Sequence, residues 1–144
     1  MLKKQTVILT LLLSLLSLGI YLPVWFLRRR EGFNRLGSSQ ELKSAPLLAV
    51  LAISCGEALL DLLELTGLHS TTLNALLVNQ LLLQVVSLLA MGVLTIESFK
   101  LRRILQEAYG VHLDPLLLLL FSIFYLQHWI NHLADRPILT GPSA

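Results

Sequence analysis

PLLAVLAISCGEALLDLLELT, residues 46–66, is a nearly unbroken apolar run that still holds three carboxylates, Glu57, Asp61 and Glu64. A helix needs about 20 apolar residues to cross a bilayer, so the run matches one crossing. Pro46 suits its first turn, where a missing N–H costs nothing. The acids are four and three residues apart and share one helical face. An ionised carboxylate at mid-membrane is expensive unless it faces the bundle interior, is paired, or takes up a proton. Glu64 is near enough to the end to reach headgroups; Glu57, halfway along, is the residue that needs a reason.

The rest of the chain has the same character. A length of 144 residues corresponds to one domain, 1–144. Hydrophobic residues make up 55% and charged residues 14%, against about 25% charged in a soluble domain. Mean hydropathy is +0.73. Such a chain has too little polar surface to coat a globule in water, so it reads as an integral membrane protein. Three further runs are span-sized: about 5–27, 75–96 and 115–134. The first exceeds the usual signal-peptide core of about 7–15 residues and has no small-residue cleavage site after it, so it reads as an uncleaved span. It ends in Trp25-Phe26, an interfacial aromatic pair, followed by the basic stop Arg28-Arg29-Arg30. The last opens with Asp114-Pro115, an N-cap followed by proline at the first helical position. The expected fold is all-α and polytopic, with four transmembrane helices.

A short amphipathic cytoplasmic segment is expected after the first and third spans. In the first such segment Gly37 breaks the chain, and Ser38 with Glu41 matches a capping box that would start a short helix. In the second, Leu101, Ile104, Leu105 and Ala108 share a helical face, with Lys100, Arg103 and Glu107 away from it. Gly110 suits a stop. That helix either extends the third span or lies flat in the headgroups.

Lys and Arg number eight in the segments 28–45 and 97–114 and three elsewhere. The count predicts a multi-pass protein of the cell membrane with those segments cytoplasmic and both termini opposite, although Lys3 and Lys4 pull the other way. Arg28, Arg29, Arg30, Arg35, Lys100, Arg102 and Arg103, with Trp25, are expected to meet anionic lipid headgroups. No nucleic-acid partner is expected: the net charge of +2 says nothing alone, and the placement of Arg28–Arg30 after a span reads as a topology determinant meeting anionic lipid.

Every other span carries a polar stripe. The first has Thr10, Ser14, Ser17 and Tyr21; the third has Gln80, Gln84, Ser87 and Thr95, with Asn79 beside it; the fourth has Tyr125, His128 and His132, flanked by Gln127 and Asn131. Glu57, Asp61, Gln80, Gln84 and Tyr125 are the expected buried polar set, since such groups hold spans together. His128 and His132, four apart, could share a metal ion with Glu57 and Asp61 completing its shell. Cys55 cannot form an internal disulfide and is expected to be an inert buried thiol. His69 and His112 are expected in solvated loops, and the tail from Asp135 to be a loose end. There is no phosphate-binding glycine loop, no paired-cysteine zinc motif and no nucleophile elbow.

Several stretches carry a resemblance. They are Leu18-Gly19-Ile20-Tyr21 with Pro23-Val24-Trp25-Phe26, then Arg28 to Arg30, Phe33-Asn34-Arg35-Leu36, Ser39 to Leu42, "FKLRRILQEAYG" at 99–110 and "FSIFYLQHWINHL" at 121–133. Together they resemble a bacterial family of small integral membrane proteins catalogued as a domain of unknown function (number forty-two thirty-four). They cover about half the chain, and the second span does not take part. The resemblance implies a multi-span helical protein with a basic amphipathic segment after the first span. It implies no activity, and it places His128 and His132 at positions that vary, which weighs against a metal.

The expected function is interaction: an accessory, scaffold or oligomeric subunit without catalysis or cofactor, working as a homo-oligomer or with a membrane partner. The rivals are an ion or proton transport component using Glu57 and Asp61, and a metal-binding membrane subunit using His128 and His132.

Overall fold

The computed structural model describes residues 6–17, 19–66 and 73–136, the side chains of 73–79 excepted. All regular structure among them is helical: α1 (Val7–Leu16), α2 (Tyr21–Asn34), α3 (Ser44–Leu65), α4 (Leu73–Tyr109) and α5 (Pro115–Leu133). Three helices are long and apolar enough to cross a membrane: α3, the Gln80–Tyr109 part of α4, and α5. This is the pattern of a multi-pass membrane protein. Lys3, Lys4, His69 and the tail beyond Arg136 lie outside the described residues.

The first run is not one span. It breaks between α1, only 10 residues long, and α2. At the break Ser17 turns its hydroxyl to accept the Tyr21 N–H at 2.9 Å, and Gly19 takes φ +87°. That is left-handed backbone, open to glycine without a steric penalty. After it, α2 carries Trp25 and Phe26 inward and its arginines onward.

The second and third runs are helical as expected. α3 starts at Ser44, two residues before the run, whereas α4 runs unbroken to Tyr109, well past the expected end near residue 96. The segment after the third span therefore extends it rather than lying flat. Its apolar face is the heart of the core: Leu101, Ile104, Leu105 and Ala108 are all buried. Gly110, at φ +63°, ends the helix with its N–H on the Gln106 carbonyl.

The proposed capping box at Ser38 does not start a helix. Ser38 and Ser39 instead give their hydroxyls to the Glu107 carboxylate at 2.6 and 2.8 Å, and the Ser39 N–H joins at 2.8 Å. On the other side of the loop, the Asn34 side chain brackets Leu42, donating to its carbonyl and accepting its N–H. A turn this well satisfied has no use for a helix.

In α5 the Asp114 carboxylate caps the first turn as expected, accepting from the Leu116 and Leu117 N–H groups. The helix does not then run straight. Ser122 sits at φ 39°, ψ −114°, and the Asp114 N–H reaches the Tyr125 hydroxyl at 3.1 Å. Eleven residues of straight helix would rise about 16 Å, beyond any tyrosine side chain. The arms 115–121 and 123–133 therefore fold back on each other, so α5 has the length and composition of a span but is not the single straight crossing expected of 115–134. The Ser122 hydroxyl meets that of Ser98 on α4 at 3.1 Å. The second arm packs Ile123, Leu126, Ile130 and Leu133 into the core; the first presents Leu116, Leu119, Leu120 and Phe121 outward.

The core is consequently lopsided. It gathers α2, the first turns of α3, the last turns of α4 and the second arm of α5. α3 buries only Leu47 and Val50. Beyond them the α3–α4 hairpin stands bare, with Leu59, Leu62, Leu81 and Leu88 more than half exposed. In water such surface would aggregate; against lipid tails or another helix it is at home.

Candidate functional site

The bare half of the hairpin holds a groove. α3 and α4 run antiparallel, with Glu57 and Ser87 at the same level: the Ser87 hydroxyl donates to the Glu57 carboxylate at 2.5 Å. Glu57, Asp61, Gln80, Gln84 and Ser87, with Leu83, Leu88 and Met91, line about 440 Å³ of space open to the side. Helical spacing explains the set. Gln80, Gln84 and Ser87 fall on one stripe of α4, and Glu57 and Asp61 on one stripe of α3. Antiparallel packing then places the stripes opposite each other. Four of the five expected buried polar residues therefore do assemble, but in a groove rather than a core. Glu57 is half-buried, while Asp61, Gln80 and Gln84 are exposed. The Asn79 side chain lies outside the described residues. Cys55, also exposed, sits on the outside of α3 just below the groove. It is not buried by protein, so only lipid or a partner can cover it.

The groove has no base. Among the described residues no cation pairs with Glu57 or Asp61. The full sequence places no Lys or Arg anywhere from residue 44 to residue 99. The acids thus face α4 and open space, not the histidines of α5. His128 and His132 do lie side by side, with ring centroids 4.7 Å apart. They remain a pair, for the described residues contain no group of three or more His, Cys, Asp or Glu placed to hold a metal. Donors from Glu57 and Asp61 do not complete that site.

The basic residues expected at the lipid surface divide in two. Arg28, Arg30, Arg35 and Arg103 sit on the outside of the basic end, fully or half exposed. Arg29, Arg102, Lys100 and Trp25 are occupied within the protein. Trp25 is 2% exposed, so it is core rather than interfacial. Its indole N–H donates to the Gln127 side-chain oxygen at 3.0 Å, and the Arg29 guanidinium donates to the same oxygen. Arg29 also lies over the Trp25 ring at 4.6 Å. Burial pulls the Arg29 guanidinium below its ordinary value, which for arginine still leaves it charged. Arg102 donates to the Leu113 carbonyl at 2.7 Å and ties the α4–α5 turn. Tyr125, expected in the buried set, is half-buried, its ring edge-on to Trp129.

Two residues had no special place in the sequence reading and prove central to the core. Gln127 is completely buried, holds Trp25 and Arg29, and donates to Asn131 at 2.7 Å. Glu97 is only 2% exposed. Lys100 pairs with one of its oxygens at 2.6 Å, and the other has no hydrogen-bond partner among the described residues. Its signal was present in the sequence: an acid followed three residues later by a lysine at the end of an apolar helix.

No family model, curated protein or solved structure matches the chain.

Proposed function

We propose that the protein is a small membrane-embedded interaction subunit without chemistry of its own, whose α3–α4 groove receives a helix of a membrane partner bearing Lys or Arg. In this reading the hairpin crosses the bilayer, and the basic end, with eight of the Lys and Arg residues, faces the cytoplasm. One observation carries it: Glu57 and Asp61 open sideways at mid-span, in a stretch of 56 residues, 44–99, that holds no Lys or Arg. Carboxylates in hydrocarbon are tolerated when paired, and the hairpin carries no Lys or Arg to pair them. A second copy inserted the same way brings the same acids to the same depth, so like charge would oppose association through this face. A basic partner helix supplies what is missing, and the bare leucines flanking the groove supply its packing surface.

The transport rival uses the same carboxylates, but the polar lining ends at Ser87. Leu88, Ala90, Met91 and Leu94 follow towards the basic end.

The test uses designed transmembrane peptides of leucine and alanine carrying one central Lys, or Leu in its place, mixed with the protein in vesicles and followed by energy transfer. The Lys peptide is expected to bind roughly tenfold more tightly, the size of one or two interhelical polar contacts. A Glu57→Gln, Asp61→Asn double variant should bind both peptides alike. Equal binding of both peptides by the parent protein would rule the reading out.

A further inference from the structure

A second pocket lies at the other end of α3 and has nothing to do with the groove. It is an open hollow of about 590 Å³ between the end of α2 and the start of α3, and Arg30, Glu31, Glu41, Lys43, Ser44 and Ala45 are among the residues that line it. Its walls are set in advance. The Asn34 bracket on Leu42 returns the chain so that Lys43 comes round to the same pocket as Arg30. Behind the pocket, Leu42 and Leu47 are buried and fix the angle between the two helices.

The charges around it are mixed and mostly unspent. Glu31 faces Arg35 at 4.0 Å, an exposed pair. Arg30, Lys43 and Glu41 form no ion pair among the described residues, yet all three line the same space. The α3 N-terminus adds to this. Its cap residue is Lys43, whose side chain cannot accept a hydrogen bond, so no side chain caps the first turn. Pro46 has no N–H to offer, and the Ser44 and Ala45 N–H groups point out of the helix end beside the pocket they line. Cations together with open helix N–H groups suit a phosphate. A carboxylate beside them suits an ammonium.

Depth decides where such a ligand comes from. Residue 46 begins the apolar part of α3, and Leu48, one turn in, is 52% exposed. The pocket therefore sits at headgroup level, with an apolar helix face directly below it for acyl chains.

We propose that this pocket seats one phospholipid headgroup combining a phosphate with a primary ammonium, of the phosphoethanolamine kind. Arg30, Lys43 and the first turn of α3 take the phosphate, and Glu41 takes the ammonium. Phosphatidylcholine keeps the phosphate but its trimethylammonium has no N–H to give. Phosphatidylglycerol keeps the phosphate and has no cation.

Purified protein carrying defined lipids, examined by native mass spectrometry, tests this directly. Phosphatidylethanolamine should be retained about fivefold better than either of the other lipids, the upper size of one solvent-exposed ion pair. Glu41→Gln should abolish that preference while leaving phosphatidylglycerol retention intact. Lys43→Ala with Arg30→Ala should lower retention of all three, with helix content by circular dichroism unchanged. Equal retention of the three lipids by the parent protein would overturn the proposal, as would a Glu41→Gln variant that keeps the preference. Free phosphoethanolamine competing as well as the lipid would overturn the lipid as the source.

Discussion

Lys100→Met should destabilise the protein by about 3 kcal/mol, because it leaves the Glu97 charge buried with no counter-ion. Glu97 is 2% exposed, one oxygen rests 2.6 Å from the Lys100 ammonium, and the other already lacks a partner. The Lys100 side chain is 31% exposed, which keeps the cost at the low end of what breaking a buried ion pair entails. The companion result matters more. Adding Glu97→Gln to Lys100→Met should restore most of the loss, since the orphaned charge is then gone. Unfolding of the parent, of Lys100→Met, of Glu97→Gln alone and of the double variant in mixed micelles closes the double-mutant cycle. A Lys100→Met protein as stable as the parent would place Glu97 in water and contradict the packing of α4 against its neighbours.

The second large effect concerns where the core is. Phe33 is completely buried on α2, with its ring 6.2 Å from that of Trp25. Phe33→Ala should cost about 3–5 kcal/mol through lost contact and the cavity left behind. Leu88→Ala, on the bare half of the hairpin at 67% exposure, should change stability by less than about 0.5 kcal/mol. The same denaturation experiment reads both. The contrast expresses the lopsided architecture: a packed basic end holding an unpacked helical hairpin. Comparable losses from the two substitutions would mean that the hairpin packs into a core of its own.

The parts of this fold written in local pattern were readable. The apolar runs located α3 and α4, and the 101, 104, 105 and 108 spacing identified the buried face of α4. Gly110 and Asp114-Pro115 marked a stop and a start that the backbone uses. The polar stripes of α3 and α4 also met, because antiparallel neighbours with stripes at matching depth have few other ways to pack.

The features that failed to show depend on contacts distant in sequence, or on residues with two meanings. Ser17 and Gly19 are ordinary inside a membrane helix, so nothing marked them as the break between α1 and α2. Ser122 offered no proline or glycine warning of a fold-back. What holds that bend is a hydroxyl on α4 and a tyrosine reaching back to Asp114. Trp25 followed by three arginines has the composition of a membrane edge. Gln127, 102 residues further on, turns the indole inward instead. Sequence spacing has no means of pairing those two positions.

The candidate site was half legible. The carboxylates stood out because apolar helices seldom carry them, and their neighbours Gln80 and Gln84 followed from spacing. That the groove would face sideways, and not towards His128 and His132, follows from the bend in α5 and the early end of the core on α3. Neither is visible in the run of residues.

Cys55 offers the most direct test of the central claim, that the α3–α4 hairpin lies within the bilayer. It is the single cysteine, it sits halfway along α3, and it is exposed on the protein surface. Purified protein in sealed vesicles, treated with a charged maleimide on both faces, should stay unmodified and then react fully once detergent and denaturant remove the lipid. Rapid, complete modification in intact vesicles would put the middle of α3 in water and contradict the account.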